Sequence, residues 1–264
     1  MLFRSRLGDN VAAIVAFRRA LAAEPQDRHG ATVQIARLTG SATPMPAGYV
    51  RALFDQYARH YDLSLLEGLD YRGPQLLFDA VMAACDALGR VPWFGRALDL
   101  GCGTGLAGAV FAARVDALVG VDLSAAMIEE ARRTGRYHQL HVCDVADFLA
   151  RESTRSASLV VAADVLPYCS DLAPLVGDVA RVLDDGGLLA FTTETHDGSG
   201  VLLRETLRYA HGGDHVRSAL AGAGLTVVSL APASSRREKS IPVPGLVVVA
   251  TKPASTMPRS ETTS

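Results

Sequence analysis

Ala97-Leu98-Asp99-Leu100-Gly101-Cys102-Gly103-Thr104-Gly105 is the stretch on which the fold turns. It opens as a short apolar run that suits a buried strand and closes as a glycine loop, after which residues 106–113 read as a helix. Without Cβ atoms at Gly101, Gly103 and Gly105, the backbone turns sharply and a ligand can lie directly on it. Outward from this stretch the alternation repeats. A strand over 117–121 ends at Asp122, and a helix over 124–133 follows with Ser124 as its N-cap. A third strand, 138–143, ends at Asp144, and a fourth, 158–163, at Asp164. A helix over 171–183, closed by Gly186-Gly187, leads to a fifth strand over 188–193. A polar stretch and two helices, the last near 214–221, precede strands near 226–230 and 246–251. This order predicts an α/β fold: a doubly wound, Rossmann-like sheet of seven strands, the last antiparallel, with a helical N-terminal extension.

The chain has 264 residues, 49% hydrophobic and 20% charged, enough to bury a full core and exclude disorder for its bulk. With 26 basic and 28 acidic residues it has no polybasic character, so neither nucleic acid nor an anionic membrane is expected as a partner. Apolar runs break well before the ~18 residues of a membrane span, and residues 1–10 hold no signal-peptide apolar region. Cys85, Cys102, Cys143 and Cys169 form no CxxC pair, so no disulfide framework or metal site is expected, and the cytoplasm is the expected compartment. Four segments are expected: a helical segment 1–46, a helical lid or linker 47–91, a ligand-binding domain 92–252 and a disordered tail 253–264. Gly8, Ala13, Phe17, Ala20, Leu21 and Pro25 resemble part of a tetratricopeptide repeat, the plain alternative being an amphipathic hairpin. Those helices offer a route to a protein partner or to self-association.

Two cofactors compete for the glycine loop. Gly103, Gly105 and Gly108 also fit G-x-G-x-x-G, the pattern of a nicotinamide dinucleotide site. Asp99 favours S-adenosylmethionine (SAM): a carboxylate before the glycines repels a pyrophosphate and suits an α-ammonium and a sulfonium. Asp122 suits a ribose diol in either cofactor. Asp144, with Val145 beside it, suits an adenine edge. Each of Asp99, Asp122, Asp144 and Asp164, taken alone, could simply cap a helix, but all four fall at strand ends on the ligand-binding edge of one sheet. Cys102 reads as a small loop filler before it reads as a nucleophile.

The run Leu98 to Gly105, then Gly120-Val121-Asp122-Leu123-Ser124 with Met127, then Cys143-Asp144, resembles class I SAM-dependent methyltransferases over about residues 95–195. The whole chain is similar to bacterial predicted methyltransferases with an N-terminal tetratricopeptide segment, and Leu53 to Ala58, Asp70-Tyr71-Arg72 and Arg208-Tyr209-Ala210-His211 suit that group. The resemblance implies SAM as cofactor, S-adenosylhomocysteine as product and no metal. It implies cofactor contacts at Gly101, Cys102, Gly103, Gly105, Leu123, Met127, Val145 and Asp164. His211, His196 and His60 are base candidates, with His211 first because the resemblance includes its stretch, Tyr209 among it. Asp164-Val165-Leu166-Pro167-Tyr168 fails the [DN]-P-P-Y signature of adenine and amide methylation. A small-molecule acceptor methylated on oxygen or nitrogen is expected. A protein acceptor, or a SAM-binding interaction module with little catalysis, are the alternatives. Phe54, Tyr57 and Tyr61 recur at helical spacing, as a lid over the ligand edge or as fixed core. Arg72 is the nearby candidate for the cofactor's methionine carboxylate, its alternative being a surface salt bridge.

Overall fold

The central strands are mostly apolar through their middles because both faces of the sheet are covered, as parallel strands require. The computed structural model describes residues 9–58 and 69–254. Its main sheet contains β1 (Phe94–Leu100), β2 (Val115–Asp122), β3 (Gln139–Val142), β4 (Ala157–Ala162), β5 (Leu183–Glu194), β8 (Thr226–Pro232) and β11 (Gly245–Thr251). They run in the order β3-β2-β1-β4-β5-β11-β8. The first five pair in parallel, and β11 is antiparallel to both β5 and β8. This is the expected Rossmann-like arrangement, with the final strand inserted between its neighbours. The stretch expected to hold the first of two late helices instead forms two short strands, β6 (Val201–Leu203) and β7 (Tyr209–His211). Three residues each are too few to show a period in sequence. A separate small hairpin joins β9 (Arg237–Glu238) to β10 (Ile241–Pro242).

Side chains alternate between the two faces. Leu98, Leu100, Val119, Val121, Val160 and Phe191 pack beneath α7 (Val145–Arg151), α8 (Ala173–Val182) and α9 (Gly213–Gly222). Ala97, Leu118, Leu159, Val161 and Ala190 meet α4 (Gly73–Ala87) and α5 (Leu106–Phe111). Helix α4 presents Leu77, Val81, Ala84 and Cys85 to the sheet. It is therefore a covering helix of the domain, not part of the lid or linker to which the sequence reading assigned it. Helix α6 (Ala125–Arg133) lies between β2 and β3 in the chain.

Ahead of the domain, α1 (Asn10–Ala23) and α2 (Ala31–Thr39) pack through Ala13, Phe17 and Ala31. Asp27, at φ 50°, accepts the Ala31 and Thr32 N–H groups and so caps α2. Helix α3 (Ala47–Tyr57) is seated on this pair: a Cβ on Gly48 would come within 2.0 Å of the Gln26 carbonyl, and the Tyr49 ring lies over Gly30. Gly8, His60, Tyr61 and residues 255–264 of the expected tail lie outside the described residues. No helix among the described residues is long and apolar enough to cross a membrane.

Leu77→Ala should cost about 2–5 kcal/mol, the range for emptying a fully buried leucine site. In urea titration the midpoint should fall at constant slope; a loss below about 1 kcal/mol would show that α4 is not core.

Candidate functional site

A cavity of about 500 Å³ opens at the carboxyl edge of the sheet. The loop after β1 contributes Gly101 and Gly103, the end of β2 Asp122 and Leu123, and the turn after β3 Asp144 and Val145. Beyond β4 the wall continues through Asp164, Val165 and Tyr168, and Val50 and Phe54 of α3 cover it. Pro44 and Met45 also line it, so the boundary expected at residue 46 passes through the cavity wall.

Asp122 staples the glycine loop to β2. Its Oδ2 accepts the Gly103 N–H at 2.9 Å and its Oδ1 the Ser124 N–H at 2.8 Å. Burial raises its pKa against the pull of those bonds, and the Asp55 carboxylate adds to the rise. The cap of α6 is Ser124, which accepts the Met127 N–H and donates to Asp55 of α3. Asp144 is the N-cap of α7, with Oδ1 accepting the Ala146 N–H at 2.8 Å. It is thus both a cap and part of the cavity wall.

Asp99, Cys102, Gly105 and Met127 stand off that wall. The role expected for Asp99 as a direct ligand of an α-ammonium is corrected: it is 1% exposed, and its Oδ2 accepts the Tyr137 hydroxyl at 2.6 Å. Burial pushes its pKa up to about 7. Its other carboxylate oxygen is buried without a partner. The Tyr137 hydroxyl in turn accepts the Gly108 N–H at 3.1 Å. The ring rests on glycines: added Cβ atoms at Gly105, Gly108 and Gly120 would lie 3.0, 2.8 and 2.9 Å from it. The room that Gly105 and Gly108 leave is filled by protein, not held open for a pyrophosphate.

Of the expected bases, neither His211 nor His196 reaches the cavity. His211 is fully buried and stacked on His215 at 5.5 Å, with Nε2 3.3 Å from the Leu166 carbonyl. Burial lowers its pKa to about 4. His196 accepts the Gly198 N–H through Nδ1, and the Tyr209 hydroxyl donates to the Thr43 carbonyl, tying the N-terminal segment to β7. Arg72 is exposed and off the wall, its backbone N–H bonded to Ser235. Phe54 faces the cavity while Tyr57 is 48% exposed, so the two do not share the expected lid face.

Behind the wall lies a charged cluster that sequence reasoning missed. Arg208 donates to Asp164, to Glu194 and, at 2.6 Å, to the Tyr168 hydroxyl; its guanidinium sits 4.8 Å from the Tyr168 ring centre. Arg236 donates to the same Glu194 at 2.9 Å and to Glu238. Tyr168 meets Phe54 edge-on at 5.5 Å. Asp164 holds a left-handed conformation, φ 64°, rare for a residue with a Cβ. Asp164 was legible as a strand-end acid and the Arg208 stretch through family resemblance; Glu194 and Arg236 sit at no telling spacing.

Residues 98–191, from within β1 to within β5, match the family model described as a methyltransferase domain. The human methyltransferase-like protein 27 is 33% identical over 151 residues, covering 55% of this chain and 58% of that protein. The malonyl-[acyl-carrier protein] O-methyltransferase of Methylovorus sp. (strain MP688) is 29% identical over 167 residues, 59% of this chain and 53% of that protein. The chain thus spans under two thirds of the length of these curated relatives. Among solved structures, the 1,6-didemethyltoxoflavin-N1-methyltransferase of Burkholderia thailandensis, holding 1,6-didemethyltoxoflavin and S-adenosylhomocysteine, superposes with a TM-score of 0.58. It is 18% identical, and the match covers 80% of this chain and 91% of that one. The architecture is the Rossmann-like methyltransferase fold.

Two outcomes follow from the charges. Glu194→Ala leaves Arg208 and Arg236 buried without their shared acid, and should cost about 3–5 kcal/mol in urea unfolding. Asp99 has a folded-state pKa near 7, above the ordinary 3.8. Between those values the native state holds a proton that the unfolded state has released, so stability falls as pH rises through this window. Melting curves from pH 4 to 8 should fall more steeply for the wild type than for Asp99→Asn; parallel curves would refute the assignment.

Proposed function

We propose that the chain is a SAM-dependent methyltransferase that methylates an oxygen or nitrogen of a small-molecule acceptor. The observation that carries this reading is the single wall formed by Gly101 and Gly103, Asp122 with Leu123, and Asp144 with Val145. The residues fit the cofactor. A carboxylate has about four lone-pair sites. Backbone bonds from Gly103 and Ser124 leave Asp122 capacity for both hydroxyls of a ribose. Leu123 and Val145 would flank an adenine whose amine meets Asp144. Gly101 sits on this wall at φ 64°, where a Cβ would meet Val165 at 2.5 Å, so the tight turn of the loop requires glycine there. The filled room over Gly105 and Gly108 argues against a dinucleotide.

SAM supplies a methyl group on a sulfonium, and its transfer is an in-line displacement. The chain's part is then to orient the acceptor and exclude water. Phe54, Val50 and Met45 form an apolar cover suited to that exclusion, and the Tyr168 hydroxyl is fixed by Arg208. No histidine lines the cavity among the described residues. The O-methyltransferase relative and the N-methyltransferase fold neighbour support either atom as acceptor.

Calorimetry of the full chain should detect S-adenosylhomocysteine binding and no heat from NAD or NADP. Methyl-labelled SAM incubated with small-molecule and macromolecular fractions of a cell extract should label the former. Binding of NAD alone would reject the cofactor reading; label confined to macromolecules would reject the acceptor reading.

A further inference from the structure

Tyr137 lies between β2 and β3, off the cavity wall, and sequence motifs do not single it out. Yet it touches the chain on both sides of Gly101 and Gly103, the loop glycines that the cofactor reading uses. Its ring lies against Gly105 and Gly108, which open α5, and against Gly120 on β2, leaving at each no room for a Cβ. Its hydroxyl receives the Gly108 N–H and donates to Asp99, the strand residue two positions before Gly101. One side chain thus fixes the loop's two anchors, the end of β1 and the start of α5.

Asp99 makes that bond unusual. It is fully enclosed, its second oxygen has no partner, and the titratable groups facing it are Tyr137, Cys102 of the glycine loop and Asp122 at the end of β2. None of these is a cation. A buried carboxylate without a counter-cation is costly unless hydrogen bonds or a proton relieve it. The Tyr137 hydroxyl relieves it, lowering the Asp99 pKa against the larger opposing push of burial.

We propose that Tyr137 is a positioning residue of the cofactor loop, holding the glycine backbone in its binding shape through the Asp99–Tyr137–Gly108 hydrogen-bond chain. The inference rests on the SAM reading and extends it: the loop's shape is set from behind by a residue that never meets the ligand. Because the chain ends on a carboxylate that titrates near neutrality, affinity for the positively charged SAM should rise as pH increases through about 7.

The test is SAM titration of the full-length chain from pH 5.5 to 8.5, with ligand-free melting curves alongside. Tyr137→Phe keeps the ring over the three glycines, so it should melt near the wild type. It should bind SAM about tenfold more weakly, the scale of one hydrogen bond to a charged group, with the midpoint of its pH profile moved upward. Asp99→Asn still offers an oxygen to the hydroxyl but cannot ionise, so its profile should be flat; it tests the coupling even if Tyr137→Phe fails to fold. Wild-type affinity and an unmoved profile in Tyr137→Phe would overturn the proposal, as would a wild-type profile in Asp99→Asn. A wild-type chain that binds neither SAM nor S-adenosylhomocysteine would overturn the proposed function, and the inference with it.

Discussion

Asp164 on the cavity wall joins Glu194, Arg208 and Arg236 buried behind it, two acids and two bases around which the carboxyl edge of the sheet is organised. Charges taken out of water cost several kcal/mol each, and only good geometry with further hydrogen bonds recovers it. Glu194 ends the well-paired β5 and is the fixed point of the cluster. Asp164 follows β4, Arg208 precedes the three-residue β7, and Arg236 lies in the loop after β8, segments with few ladder bonds of their own. Opposite charges meeting at one point give them a single arrangement, and Tyr168 and Asp164 carry that arrangement onto the cavity surface.

Much of this fold was legible in the sequence because a doubly covered parallel sheet writes itself as unbroken apolar runs. Residues 97–100, 117–121, 158–163 and 188–193 each fall on a strand, although β1, β2 and β5 begin two to five residues earlier. What failed was short or relational. Helix α4 shows its apolar face at Leu77, Val81 and Ala84, but periodicity cannot say whether that face meets the sheet or closes over the ligand. The site was legible in part for a geometric reason. Asp144 and Asp164 lie past the ends of their strands and Asp122 is the last residue of β2, so connectivity alone brings them to one edge. Asp99 lies inside β1, where a side chain points to a face of the sheet and not over its rim.

The glycines have the same lesson. Gly101 and Gly103 line the cavity, and the ligand reading of them stands on that position. Gly105, Gly108 and Gly120 are small because an aromatic ring occupies the space. A glycine pattern records that something approaches the backbone closely; it does not record whether the visitor is a ligand or the protein itself.

The place of β11 has a consequence for how the molecule is made. Among the described residues β8 pairs with β11 alone, and β11 is also the long-range partner of β5 along seven residues. A ribosome delivers β8 first, so this strand emerges with no neighbour, while the apolar edge of β5 waits uncovered. Both are satisfied together when residues 245–251 arrive and slide between them. Until then the nascent chain presents an open strand edge of the kind that pairs with other chains. Translation that stalls inside this interval would release a sticky half-sheet, and the interval contains Arg236, which completes the charge cluster at the ligand edge.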